Sequence, residues 1–80
     1  MSFRMSTIDS VEYQIMIDRL REAREESGLT QDEVADEFGL LQSFVSKVEN
    51  GDRRIDPVEL CRFAELYEKP VAWFLNEKCA

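Results

Sequence analysis

Thr30-Gln-Asp-Glu-Val-Ala-Asp-Glu-Phe-Gly39-Leu-Leu-Gln-Ser-Phe-Val-Ser-Lys-Val-Glu-Asn-Gly51 is the stretch whose reading decides the fold. It opens on a capping box. The Thr30 hydroxyl can accept from the amide at the third helical position, and Glu33 can reach back to the Thr30 amide. Val34, Ala35 and Phe38 follow at helical spacing, and Gly39 stops that helix. A second helical pattern runs from about Gln42 to Asn50, with Val45 and Val48 three apart on its inner face and Gly51 after it. The spacing predicts two short helices joined by a tight turn.

Working outward, residues 1–9 read as a loose arm. Asp9 or Ser10 can cap a helix opening at Val11 or Glu12, whose apolar stripe is Tyr13, Met16, Ile17, Leu20 and Ala23 and which ends at Gly28. On the other side, Asp52 to Ile55 is a polar loop. Asp56-Pro57-Val58-Glu59 then supplies an acidic N-cap, Pro at the first helical position and Glu at the third. That fourth helix is expected to bury Leu60, Phe63, Ala64 and Tyr67. Pro70 opens a last short helix, from Val71 to about Leu75, that contributes Phe74 and Leu75. Nothing alternates with period two, so no strand is expected. The predicted class is all-α: five helices in one domain over residues 10–76, followed by a tail at 77–80.

Composition narrows the function classes. Eighty residues make one small core, and 44% hydrophobic content is too high for a disordered chain. No apolar run approaches the ~20 residues of a membrane span, and none near the N-terminus suits a secretory signal, so a cytoplasmic location is expected. Cys61 and Cys79 could form one disulfide, but without a signal free thiols are the default. Histidine is absent, and no Cys or carboxylate cluster has metal-ligand spacing, so neither a zinc site nor a cofactor is expected. No set of nucleophile and base points to an enzyme.

Two helices across a tight turn form a helix-turn-helix, whose second helix can lie in the DNA major groove. Leu20-Arg-Glu-Ala-Arg24, Gly28 through Ala35, Gly39, Gln42 through Gly51 and Leu60 through Leu75 together resemble the phage-repressor-like helix-turn-helix family, also called Cro/cI or XRE. It includes phage repressors and restriction–modification controller proteins. The resemblance implies a compact five-helix bundle. It also implies that Gln31 holds a phosphate at a helix N-terminus, that Gln42, Ser43 and Lys47 read bases, and that Asn50, Arg53 and Arg54 hold a further phosphate, with Ser46 grouped among the phosphate contacts. Phe44 can meet a thymine methyl or tuck its ring against the core edge. Arg24 and Glu49 match a structural salt bridge. Three positions depart from the family pattern: Leu41 replaces a Ser or Thr N-cap, Glu68 stands where many members have Gly, and Lys69-Pro70 precedes the last helix.

Charge opposes this reading at first sight. The chain has 17 Asp and Glu against 10 Lys and Arg, and residues 30–56 hold seven acids and three basic residues. Four of those acids, Asp32, Glu33, Asp36 and Glu37, belong to the helix before the turn, and Glu49 is matched by Arg24. The face expected to meet DNA offers Lys47, Arg53 and Arg54, with Arg4 of the arm as a further cation. So few cations give a weak sequence-independent term and a shallow salt slope of about 0.9 log units per phosphate. The expected binding species is therefore a homodimer on a near-palindromic operator, with half-sites roughly 34 Å apart. Cys61, Leu66 and Trp73 fall off the core stripes and are read as the subunit interface. The expected function is a sequence-specific transcription regulator, a repressor or autoregulator. A protein-binding module of the same fold, such as an antirepressor or antitoxin, stays open because the surface is acidic and the C-terminal third carries unassigned apolar residues.

Overall fold

The computed structural model describes residues 11–75. The arm at 1–9 with Arg4, the caps Asp9 and Ser10, the tail and Cys79 lie outside the described residues. The order is α1 (Val11–Glu26), α2 (Gln31–Phe38), α3 (Gln42–Asn50), α4 (Pro57–Tyr67) and α5 (Val71–Phe74), with no strand among the described residues. Local chemistry accounts for the boundaries. Thr30 accepts from the Glu33 amide at 3.1 Å while Glu33 accepts from the Thr30 amide at 2.9 Å. Asp56 and Glu59 repeat the arrangement at the start of α4, at 2.8 and 3.1 Å, with Pro57 inside the first turn. Leu41 has the extended backbone of an N-cap but makes no side-chain capping bond, so α3 starts uncapped.

α2 and α3 pack on one another, and α1 runs across the bundle against α3, α4 and α5. Tyr13, Met16, Ile17, Leu20 and Ala23 of α1 meet Val34, Ala35, Val45, Val48, Leu60, Phe63, Ala64, Tyr67 and Phe74 in one core. Every apolar position assigned to the stripes of α1 and α4 is buried. The i, i+3, i+4 rule works here because each helix turns one face to a single interior. Phe38 is half-buried and meets Phe63 edge-on, with ring centroids 5.0 Å apart.

Leu75 departs from the expected core. α5 ends at Phe74, and Leu75 takes an extended backbone that leaves the side chain 36% exposed. One helical turn buries one large side chain, and Phe74 fills that place. The Tyr13 hydroxyl accepts from the Ile55 amide at 2.9 Å, which ties the α3–α4 loop to the start of α1. Gly51 sits at φ 80°, so the end of α3 favours glycine for its backbone, while a Cβ there would make only ordinary contact with Ile17 Cδ1 at 3.4 Å. Glu68 takes the same left-handed C-cap conformation at φ 57° without being glycine.

Candidate nucleic-acid interface

α3 divides cleanly. At 100° per residue, Gln42, Ser46, Asn50, Ser43 and Lys47 span an arc of about 140°, Val45 and Val48 lie on the far side, and Glu49 borders the arc next to Gln42. Gln42, Ser43, Lys47 and Asn50 are exposed, Ser46 is half-buried, and Val45, Val48 and Glu49 are buried. The Asn50 amide reaches the Ser46 hydroxyl at 3.5 Å. A short helix with one polar, solvent-facing edge is thus held by its apolar edge against α1 and α2.

A chain of hydrogen bonds fixes the leading end of that edge. Glu49 has a side chain only 2% exposed, and Arg24 contacts it through Nε at 2.7 Å and Nη2 at 3.1 Å. Arg21 adds its Nη2 to the Glu49 carbonyl at 2.9 Å, with its Nε 3.8 Å from the carboxylate. The remaining reach of Glu49 Oε1 goes to Gln31, whose Nε2 donates at 3.0 Å. Gln42 Nε2 in turn donates to Gln31 Oε1 at 2.5 Å. The order follows from chemistry: an ionised carboxylate only accepts, so the Gln31 NH2 must face inward and its carbonyl outward. Gln42 then spends a donor on Gln31 and keeps its own carbonyl free. Arg24 is held above its ordinary pKa, chiefly by the hydrogen bond to Glu49.

Tyr67 lies beside this group. Its hydroxyl is buried and has no hydrogen-bond partner among the described residues. Burial pushes its pKa up, the Glu49 charge adds to that, and Arg24 opposes it.

The loop cations are unequally placed. Arg54 is exposed and makes no ion pair among the described residues, and the same is true of Lys47. Arg53 is engaged. Its guanidinium binds both oxygens of Glu59, at 3.1 and 3.3 Å, and lies 4.4 Å from the centre of the Phe44 ring. Phe44 itself is half-buried and stacks on Phe63 with centroids 6.5 Å apart. The ring is therefore packed between the core and Arg53.

The structure brings Gln31, Gln42 and Glu49 into one network and sets Ser43, Lys47 and Asn50 beside it. Of the three residues read as a subunit interface, Cys61 and Leu66 lie on α4 and Trp73 on α5. Cys61 is an exposed free thiol. Leu66 packs against the core and lines a recess with Glu37, Phe38, Arg62 and Glu65. Trp73 also packs on the core, with the cations of Arg19 and Lys69 near its ring and Arg19 Nη1 donating to its carbonyl. The contact of Arg21 with Glu49, the pairing of Glu59 with Arg53 and the unpartnered hydroxyl of Tyr67 are additions to the sequence reading, which has Glu59 as a capping residue and Tyr67 as core. Glu59 alone left a usable signal, since it is an acid six positions after Arg53 in a turn that must fold back. Among the described residues no group of three or more Cys, Asp or Glu is arranged to hold a metal ion, and no helix is long and apolar enough to cross a membrane.

The HTH_3 helix-turn-helix family matches residues 20–74, from the middle of α1 to the end of α5. The chain is similar to the solved structure of an XRE-family like protein from Pseudomonas syringae pv. tomato str. DC3000, at 41% identity and a TM-score of 0.76, over 85% of this chain and 83% of that one. It is also similar to the S. venezulae BldD DNA-binding domain, at 26% identity and a TM-score of 0.72, over 84% of this chain and all of that one. No curated protein matches it. A family match over most of the bundle, with 41% identity to an XRE-family like structure across 85% of the residues, means that the chain belongs to the XRE-type helix-turn-helix family.

Proposed function

We propose that the protein is a sequence-specific DNA-binding transcription regulator, a repressor or autoregulator, that binds a near-palindromic operator as a homodimer. The observation that carries this reading is the polar edge of α3, with Gln42 held by Gln31 and with Ser43 and Lys47 beside it and exposed. A glutamine whose amide is oriented before binding can pair with an adenine edge at reduced entropic cost, and Lys47 can reach guanine. The N-terminus of α2, with Gln31 in its first turn, suits a phosphate, and Arg54 and Asn50 suit another at the far end. Similarity to a domain named as DNA-binding supports the same reading.

Lys47 and Arg54, the cations of the proposed DNA face that make no ion pair among the described residues, are a small electrostatic footprint on a chain with a formal charge of −7. Two subunits double it, which is the reason for a dimer. Binding selection from random duplexes, with sedimentation in parallel, tests the proposal. A two-fold related pair of half-sites roughly one helical turn apart is expected. Gln42→Ala and Lys47→Ala should each cost roughly 1–3 kcal/mol on the selected site and relax its sequence preference. An equal loss on selected and random DNA would remove base reading from these residues. A monomer that binds its site tightly would remove the dimer.

A protein-binding module is the second reading. It is favoured by Leu40 and Val58, which are 46% and 63% exposed and line a recess with Phe38, Phe44 and Phe63, and by Leu41, which is 76% exposed next to Leu40 in the chain. Failure to bind any duplex at low salt, beside specific capture of a protein from lysate, would select it.

A further inference from the structure

Arg53 is a poor free cation, and the reason is built into α4. Its guanidinium has five N–H donors. Nη1 donates to the Arg54 carbonyl at 2.8 Å and to Glu59 Oε1 at 3.1 Å, while Nη2 donates to Glu59 Oε2 at 3.3 Å. Only Nε and one Nη2 proton remain, and one face of the plane is covered by Phe44. Glu59 is itself anchored, because Oε1 also accepts from the Asp56 amide in the capping box of α4. The carboxylate therefore stays beside the loop whether or not Arg53 is present, and the pair is only partly exposed, with side chains at 43% and 26%. A bidentate pair of this kind is the geometry in which a carboxylate competes best with a phosphate for arginine.

We infer that Glu59 is an internal competitor for the DNA backbone: it holds Arg53 against Phe44 and sets how strongly, and with what salt dependence, the protein binds any duplex. This rests on the DNA-binding reading. When the loop meets a phosphate, either Arg53 leaves Glu59, or it serves the phosphate with its two remaining donors while Glu59 cancels most of its charge. Both routes lower sequence-independent affinity and leave the polar edge of α3 to decide where the protein sits. The chain is thereby biased toward selectivity over general adhesion to DNA. Because Arg53 covers the Phe44 ring, the same clamp joins the α3–α4 loop to the recognition helix.

Fluorescence anisotropy on a labelled mixed-sequence duplex, titrated across a range of KCl concentrations, tests the inference. Glu59→Gln removes the charge but keeps an acceptor for the Asp56 amide, since Gln serves in a capping box as Glu does. It should tighten binding roughly threefold to tenfold at low salt and steepen the slope of log K against log salt by up to about 0.9 per protomer. In an Arg53→Ala background the same substitution should change little, and that double variant carries the same altered cap, so any loss from the cap alone is read there. An unchanged slope, weaker binding, or an equal gain with Arg53 absent overturns the clamp while leaving DNA binding intact. Absence of any duplex binding by both the wild type and Glu59→Gln at the lowest salt overturns the clamp and the DNA-binding reading together.

Discussion

Breaking the Arg24–Glu49 pair offers a sharp test of how this bundle is held together. Glu49 is the only buried charged residue among those described, at 3% exposure, and its carboxylate accepts three side-chain hydrogen bonds, two from Arg24 and one from Gln31. Removal of one member of a buried pair costs roughly 3–5 kcal/mol, because the other is left charged and dry. The two sides are not equivalent here. The Arg24 side chain is 13% exposed and keeps a bond to the Leu29 carbonyl at 3.0 Å, so Glu49→Leu should fall at the low end, about 3 kcal/mol. Arg24→Met leaves the carboxylate with Gln31 and the looser Arg21, whose Nε is 3.8 Å away, and should cost about 4 kcal/mol. The double variant replaces the pair with apolar groups and should cost less than Arg24→Met alone, for a coupling of at least about 3 kcal/mol. Urea unfolding followed by far-UV circular dichroism gives the cycle directly, provided the slope of the transition is unchanged. Additive costs, or single losses below about 1 kcal/mol, would refute the view that Glu49 depends on Arg24 to remain buried as a charge.

Four further expectations concern single positions elsewhere in the bundle. Tyr67→Phe removes a hydroxyl with no partner among the described residues, so at neutral pH it should be neutral or stabilising by up to about 1 kcal/mol in urea unfolding. The Tyr67 pKa is raised by burial, so the unfolded chain loses its phenolic proton first. Stability tied to this group is therefore intact below about pH 10 and is lost as pH climbs above that value. The Phe variant should show a flatter alkaline limb, and identical limbs would contradict the burial. Leu41→Ser adds a capping hydroxyl where the backbone is already extended and the leucine is 76% exposed, so thermal unfolding should shift upward by the equivalent of about 0.5–1 kcal/mol. Glu68→Gly relieves a left-handed residue and should raise stability by up to about 1 kcal/mol after glycine's own entropy cost. Gly39→Ala and Gly51→Ala should each lower stability by roughly 1–2 kcal/mol, because both sit at positive φ and a Cβ meets nothing closer than ordinary contact at either. Calorimetric midpoints rank these variants.

The legible and illegible parts of the molecule divide by distance along the chain. Residues three or four apart wrote the helices. Thr30 with Glu33, Asp56 with Glu59 and the spacing of Tyr13, Met16, Ile17 and Leu20 each act within one or two turns, and all are found where the spacing put them. The acids of α2 could also be assigned to an outer face, since Val34 and Ala35 had to face inward, and all four are exposed. The end of α5 was less legible, because a single turn carries too few apolar positions to show which of Phe74 and Leu75 the core accepts.

Partner choice among polar side chains was decided by tertiary structure alone. Sequence placed Gln31 and Gln42 on separate helices and could name both as contacts, but the angle at which α3 crosses α2 brings their amides to 2.5 Å and turns the Gln31 NH2 toward Glu49. Sequence marked Arg53 as a loop cation, but the fold of that loop onto α4 gave it to Glu59 and laid it across Phe44. The physical reason is that capping and helical periodicity are satisfied within a few residues. A guanidinium or a glutamine amide takes whichever acceptor three-dimensional packing delivers, here 18 positions away from Gln31 and 25 from Arg24.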